Sequence, residues 1–374
     1  MAPTDSTPYQ RIARLTPVGV ILALIQARVG SVTPQKSAVT AARDFTLAED
    51  VVASERPPRS IALRDGFAVD AATVADAGPY APVALPLPTR RIDVGEPLPS
   101  DANAVLPLDA VLLRGDRAEA VVAVAAGEGV LPAGGDTVPN TPLRRAGERV
   151  RAIDIAVLTA AGIEAVTIRA PRIHIVHGGE AKPPAINAAL TTLIRVAGEA
   201  GGVVTGRSIT LDKTALSDEE SAALIAVGGT GSGLRDAAVH TLAQFGRVDA
   251  HGIALSPGET AAFGFVGERP VLLVPGRLDA ALAVWLLIGR HLTAKLAGGR
   301  IEDAVTVMAL KRKVTSTIGL TELIPVRCEG GMAEPLGSGY LSYTTLARSD
   351  GWIVVPADSE GFPAGAQVAV TPWP

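Results

Sequence analysis

The stretch 225–236, IAVGGTGSGLRD, constrains the chain more than any other. A short apolar run ends at Gly228 and Gly229, passes through Thr230, Gly231, Ser232 and Gly233, and reaches Asp236. An apolar strand, a Gly-rich turn and a helix start are the elements this order encodes. Glycine supplies φ > 0 and lets a backbone approach a ligand closely. N–H groups at a helix N-terminus favour anions, phosphates among them, and the hydroxyls of Thr230 and Ser232 add donors. Two readings fit: the floor of an anion-binding crevice at a strand's carboxyl end, and a strand-to-helix connection whose glycines serve packing. Two sharper motifs are excluded. A P-loop needs Lys and then Ser or Thr after its last glycine, and here Leu234 and Arg235 follow Gly233. The dinucleotide fingerprint needs G-x-G-x-x-G, which G-G-T-G-S-G does not match.

The flanks place this loop in a sheet. Runs 172–176, 203–204, 208–211, 224–227 and 269–274 read as strands, and 185–200, 239–245 and 280–292 as helices. That alternation predicts a mostly parallel α/β sheet. Ligands in such sheets sit outside the strands' carboxyl ends, so the exits 177–180, 228–236 and 275–279 are expected to share one crevice. The character changes on either side. Residues 17–55 read as helical, with Val20, Ile21, Leu24 and Ile25 as an apolar face and a second helical piece at 36–43. Prolines recur through 57–131 between short Val/Leu runs, which predicts a small all-β domain. A helix at 153–161, stopped by Gly162, leads into a strand at 163–168. Residues 300–374 return to short strands at 304–310, 323–326, 351–355 and 367–370, a second small β domain.

At 374 residues the chain exceeds one ordinary core. A net charge of −4 gives no reason to expect nucleic acid or an anionic membrane as partner. The single cysteine, Cys328, excludes an intrachain disulfide and fits a reducing compartment. Five scattered histidines give no zinc-ligand spacing. No run approaches the roughly 18 apolar residues of a membrane span, and 18–25 is too short and interrupted for a signal peptide. A soluble cytoplasmic protein is expected.

The candidate chemistry is acidic. Asp65, Asp136 and Glu180 each follow or adjoin glycine at a predicted loop or strand end, with a turn residue as the alternative for the first two. Asp212 and Asp236 read as ligand-facing residues or helix caps, and Asp279 as an N-cap. Carboxylates with so few His and Cys suit a hard cation such as Mg²⁺ with phosphates rather than zinc. His174 reads as a packing residue inside a strand, whereas His177, at that strand's end, is the histidine to test.

Several pieces, in this order, resemble the molybdopterin molybdenumtransferase family, which includes the E domain of gephyrin. LAEDVVA, the Pro57-Pro58 break and ALRDGFAV at 62–69 resemble the family's stretch ending in S-A-M-D-G-Y-A-V. GEPLPSDANAV at 95–105 resembles G-x-P-L-P-x-G-A-D-A-V, and PAGGDTV at 132–138 its G-E-D segment. Residues 160–180, ending HGGE, resemble the region ending T-G-D-E. VGGTGSGLRD follows the outline S-G-G-x-S-x-G-x-x-D. SPGETAAFG and VPGRLDAAL stand where the family has K-P-G-K-P-x-x-F-G and L-P-G-N-P-x-S-A.

The resemblance spans nearly the whole chain and implies four domains. Residues 1–55 and 134–170 would form an elongated, helical, discontinuous dimerisation domain, with a β domain at 56–133 inserted in it. A molybdopterin-binding α/β domain at 171–299 and a C-terminal β domain at 300–374 would follow. It implies insertion of molybdate into adenylylated molybdopterin with Mg²⁺ and release of AMP, by a homodimer, with a molybdoenzyme or the adenylyltransferase as further partners. Carried over residue by residue, it assigns Asp65 and Asp136 to the metal and molybdate side and Glu180 to catalysis. Gly178, Gly179, Gly228, Gly229, Thr230, Ser232, Gly233, Asp236, Pro275, Gly276 and Arg277 fall on the pterin and nucleotide side, and Ser338 near the anion. The departures bear on activity. The two lysines of K-P-G-K-P are Ser256 and Glu259, the Asn of P-G-N-P is Arg277, the Met before Asp65 is Arg64, and the Asp of T-G-D-E is Gly179. Arg64 and Arg277 are expected to restore the lost positive charge. A non-catalytic carrier, sensor or molybdoenzyme-assisting protein of the same fold is the alternative, and a scaffold using the dimer alone a third.

Overall fold

The computed structural model describes residues 10–374 apart from 181, 207, 208, 235 and 302. The chain divides into two compact units. The smaller holds 50–145 and 153–164; the larger holds the chain up to 49, 146–152 and 165–374.

A six-stranded sheet forms the centre of the larger unit. Its spatial order is Val203–Thr205, Arg172–His177, Ala223–Val227, Arg269–Val274, Ala262–Val266 and Arg247–His251. The first four strands run parallel, and the last two add on antiparallel. The run ALIAV is apolar throughout because helices cover both faces of the sheet. Ile225 and Val227 pack with Ile21, Leu193 and Leu286, while Leu224 and Ala226 pack with Leu216, Ala238 and Leu242. The sequence reading does not anticipate the antiparallel extension. Gly252 (φ +92°) and Gly258 (φ +135°) cut 247–266 into pieces too short to carry a period-2 signal. The expected strand at 208–211 begins on Ser208, outside the described residues; beyond it, Thr210 makes a single bridge to His177. Arg235, in the Gly-rich loop, also lies outside the described residues.

The helical reading of 36–43 is corrected. Gln35–Ala38 is a strand and Val39–Ala41 a single 3-10 turn. Ala165–Arg169 pairs antiparallel with that strand and with Thr46–Leu47. Non-local pairing overrides a weak helix preference that β-branched Val39 and Thr40 already lower. Only Val18–Arg28 is helical in this region, with Val18, Ile21 and Ile25 buried.

Toward the C-terminus, five strands close on themselves. Thr321–Glu329 pairs with Met332–Pro335 and with Gly351–Val355, and Thr306–Leu310 and Gln367–Pro372 complete the ring. Ile253–Ser256 and then Thr16–Pro17 add to the same sheet beside Thr321–Glu329. Leu310, Ile324, Val326, Ile353 and Val368 fill the interior. The strand Met332–Pro335 and the helix Tyr343–Arg348 are additions to the sequence reading. The Leu278–Ala297 helix is long and apolar enough to cross a membrane by length and composition, but 67% of its most apolar window is buried inside the protein. Its Ala281, Val284, Ile288 and Leu292 belong to the main core.

The smaller unit is made of short sheets. Gly66–Val69 lies between Arg91–Ile92 and Ala104–Pro107. A Cβ on Gly66 would stand 2.0 Å from the Leu106 carbonyl oxygen, so the residue after Asp65 must be glycine. Val83–Ala84, Arg117–Ala120 and Val111–Arg114 form a second sheet. Phe67, Val74, Leu106 and Ala118 share the core between them.

Candidate functional site

Three strands of the large sheet end level with one another. His177 is the register partner of Val227, and Val227 of Val274. The ladder continues into the loops: the Gly178 amide donates to the Val227 carbonyl and the Gly228 amide to the Val274 carbonyl, each at 2.8 Å. The exits 177–180, 228–236 and 275–279 therefore share one end of the sheet, as expected. From Arg172–His177 the chain crosses to Val203–Thr205 on one side and then to Ala223–Val227 on the other. The first two exits thus flank the point where strand order reverses, the preferred ligand position in open α/β sheets.

The glycines at these exits serve close packing. A Cβ on Gly178 would lie 1.9 Å from the Gly228 carbonyl oxygen, and one on Gly276 2.8 Å from Ile186. Gly228 and Gly229 adopt φ of +94° and +70°. The packing reading and the crevice reading are compatible, since the same close approach sets the exits side by side.

The helix after the Gly-rich loop begins only at Ala238. Its N-terminal amides are not open to an anion. Those of Val239 and His240 donate to the side-chain oxygen of Gln10, at 2.8 and 3.1 Å. The expectation of an anion at this helix N-terminus is corrected accordingly. Asp236 does not cap the helix; its Oδ2 accepts from the Gly233 amide at 2.9 Å. Thr230 is buried and shares a 3.0 Å hydrogen bond with Thr260, while its carbonyl accepts from His251 Nε2 at 3.1 Å. Ser232 and Gly233 are exposed. Gln10, His251 and Thr260 carry no sequence signal for this role, because each reaches the loop only through tertiary contact.

The third exit is tied to the C-terminal strands. Asp279 is buried at 4% exposure and sits inside the first helical turn, with Arg277 at the N-cap position. Its carboxylate accepts from the Leu341 amide at 3.0 Å and from the Arg277 guanidinium. Arg277 also stacks on Tyr340, 4.9 Å from the ring centroid. The bond to Asp279, its charge and that of Glu259 hold the Arg277 guanidinium even more firmly protonated than usual. Ser338, two residues before Tyr340, is exposed and lines a cavity of about 250 Å³ with Arg312, Lys313 and Thr315. Glu180, Gly179 and Pro275 lie on the exits themselves, Glu180 exposed. Asp212 is a helix cap, accepting from the Ala215 amide at 2.8 Å. His174 is a buried packing residue whose Nδ1 lies 2.8 Å from Asp218.

In the smaller unit Asp65 and Asp136 are both exposed. Ile61–Ala62 pairs antiparallel with Val130–Leu131. Asp65 leaves one end of this ribbon, beyond the bond from the Leu63 amide to the Gly129 carbonyl. Asp136 leaves the other end, its amide bonded to the Arg56 carbonyl at 2.9 Å. One Asp65 oxygen accepts from the Val94 amide at 2.8 Å. Among the described residues no group of three or more His, Cys, Asp or Glu gathers to hold a metal ion.

The two arginines expected to restore the lost positive charge both have internal partners. Arg64 donates to the Val105 carbonyl at 3.0 and 2.6 Å and pairs with Glu128 at 3.1 Å. Arg277 is paired with Asp279. Each guanidinium thus has an acidic partner, and that of Arg277 remains half exposed. Ser256 is buried, and Glu259 accepts from the Gly258 amide at 3.1 Å.

Two histidines give the fold a pH dependence. Burial, with Lys182 adding to it, holds His177 below its ordinary pKa of 6.5; burial and Arg290 do the same for His291, against Asp303. Between the lowered and ordinary values the unfolded chain binds more protons than the folded one. Stability from these rings is complete above about pH 6.5 and is lost as pH falls below it, by up to about 1.4 kcal/mol per pH unit per ring. Urea midpoints should drop from pH 7.5 to pH 5.5, and the drop should be smaller in His177→Gln. An equal drop in that variant would exclude His177 as a source.

Comparison with known proteins adds to this geometry. The family description "MoeA N-terminal region (domain I and II)" matches residues 16–162, and "MoeA C-terminal region (domain IV)" matches 308–373. A molybdopterin biosynthesis protein of Methanocaldococcus jannaschii is 27% identical over 363 residues, covering 86% of this chain and 88% of that protein. Molybdopterin molybdenumtransferase 1 of Mycobacterium tuberculosis is 26% identical over 417 residues, covering 92% of this chain and 97% of the relative. Among solved structures, the molybdopterin biosynthesis moeA protein of Pyrococcus horikoshii superposes with a TM-score of 0.73 at 24% identity, over 96% of this chain and all of that one. A molybdenum cofactor biosynthesis protein of Pyrococcus furiosus gives 0.61 at 19% identity, with the same coverage. These likenesses show the fold.

Proposed function

Because the chain belongs to the MoeA family of molybdenum cofactor biosynthesis, we propose that it is a molybdopterin molybdenumtransferase, inserting molybdate into adenylylated molybdopterin with release of AMP. The observation that carries the reading is the alignment of three strand exits at one end of the sheet, the first two flanking the strand-order reversal. In this reading the Gly228–Asp236 loop takes the phosphates, and Glu180 and the Pro275–Arg277 exit border the pterin. Ser338, on a turn tied to the third exit, lies beside the anion. Asp65 and Asp136, both exposed, stand on the metal and molybdate side. The proposal includes the four-domain layout, with 1–55 and 134–170 as a dimerisation domain, and a homodimer as the working form.

A second reading has a specific observation in its favour. Where the family carries two lysines this chain has Ser256 and Glu259, and Arg64 and Arg277 are both internally paired. One unit pair at contact is worth about 4 kcal/mol at an intermediate dielectric, so a carboxylate in place of an ammonium disfavours a dianion such as molybdate. That suits a protein that binds molybdopterin without transferring metal. The test is molybdate-dependent AMP release from adenylylated molybdopterin. The transferase reading expects release that Asp65→Asn lowers by about a hundredfold or more. Tight pterin binding with no release from the wild type supports the carrier instead.

A further inference from the structure

The Gln10 side chain is buried at 4% exposure, and all of its hydrogen-bonding capacity is used on one loop and the helix that follows it. Its Nε2 donates to the carbonyls of Gly229 at 3.1 Å and Gly231 at 2.7 Å. Its Oε1 accepts from the amides of Val239 and His240. Two donors and two acceptor positions are what a carboxamide offers. Between those two carbonyls, that of Thr230 is held by His251. Three consecutive carbonyls are thus anchored by side chains.

A trans peptide is planar, and its C=O and the following N–H point in opposite directions. Because the carbonyls of Gly229 and Gly231 converge on one nitrogen, the amides of Thr230 and Ser232 point away from it. The Gly231 amide is likewise directed away from His251. Successive N–H groups can line an anion-binding concavity; of the three residues, Ser232 is exposed, Gly231 half-buried and Thr230 buried, with the Asp236 carboxylate close to Gly231. Gln10 also closes the adjacent helix N-terminus, so an anion at this end of the sheet meets the loop amides rather than the helix. Gln10 precedes the family-matched region, which begins at residue 16.

We propose that Gln10 and His251 are positioning residues that hold the Thr230–Ser232 peptides in the orientation that binds a phosphate. The inference rests on the reading of 228–236 as the phosphate loop. A loop freed from these anchors samples other peptide orientations, and apparent affinity falls in proportion to the competent fraction.

The test is a ¹H–¹⁵N titration of the whole protein with inorganic pyrophosphate, which requires neither pterin nor turnover. In the wild type the amides of Thr230, Gly231 and Ser232 should shift saturably. Gln10→Met keeps the side chain's length but none of its hydrogen bonds; its dissociation constant should rise about tenfold or more while amides remote from the loop stay in place. His251→Phe, which removes only the Thr230 carbonyl's donor, should bind severalfold more weakly; it is the deciding variant should Gln10→Met disturb the wider spectrum. Wild-type affinity in these variants overturns the positioning role alone. Wild-type amides that never move overturn the phosphate reading of the loop, and the positioning role with it.

Discussion

Gly178→Ala is expected to destabilise the larger unit by more than about 4 kcal/mol, at the extreme end of single-substitution effects. The added Cβ would sit 1.9 Å from the Gly228 carbonyl oxygen and 3.3 Å from that of Val227. Both neighbours are backbone in central strands or their first loop residue, so neither can rotate away as a side chain would. Relief requires parting the first two strand exits, which breaks the bond from the Gly178 amide to the Val227 carbonyl. Tryptophan fluorescence in urea reads this directly, because Trp285, Trp352 and Trp373 all lie in the larger unit. Gly198→Ala is the matched control. It lies in the Pro184–Glu199 helix with nothing within 4 Å of the new Cβ, and should stabilise by about 0.5–1 kcal/mol. A Gly178→Ala midpoint equal to wild type would mean that the two exits do not pack as described.

Asp279→Ala is expected to cost about 2–4 kcal/mol. The substitution leaves the buried Leu341 amide without an acceptor, a penalty of about 1–3 kcal/mol. It also removes a carboxylate from a helix's first turn, where the macrodipole favours it, and separates it from Arg277. Arg277 is half exposed and can regain water, which keeps the loss below that of a fully buried pair. Asp279→Asn retains an acceptor for Leu341 and should cost less than half as much. Urea midpoints by the same fluorescence check the order wild type, Asn, Ala. Should Asn prove as costly as Ala, the charge rather than the Leu341 bond would be the dominant contribution.

Much of the large sheet is legible in local sequence. The strands near 172–176, 224–227 and 269–274 and the helices near 185–200 and 239–245 lie within a few residues of their expected places. Strands buried on both faces read as unbroken apolar runs, and amphipathic helices show a 3.6-residue period. The 36–43 segment misleads because its strand is made by a partner more than a hundred residues later, at Ala165–Arg169. Motif order marks the three exits that the sheet aligns, but not the partners of their charges. Arg64 and Arg277 look like free cations in the sequence, and only Glu128, Val105 and Asp279 in space show that they are not.

By itself, then, the sequence determined where the four parallel strands of the large sheet run, where their Gly-rich exits fall and which family the chain resembles. Periodicity and motif spacing are local properties of the chain. Only the tertiary structure decided that Gln10 fills the helix N-terminus beside the Gly-rich loop, that Asp279 ties the third exit to Leu341, and that Asp65 and Asp136 leave opposite ends of one ribbon. A buried polar group must find a partner. Which partner it finds depends on residues brought together from as far as 229 positions away, as Gln10 and Val239 are, and no local pattern encodes that pairing.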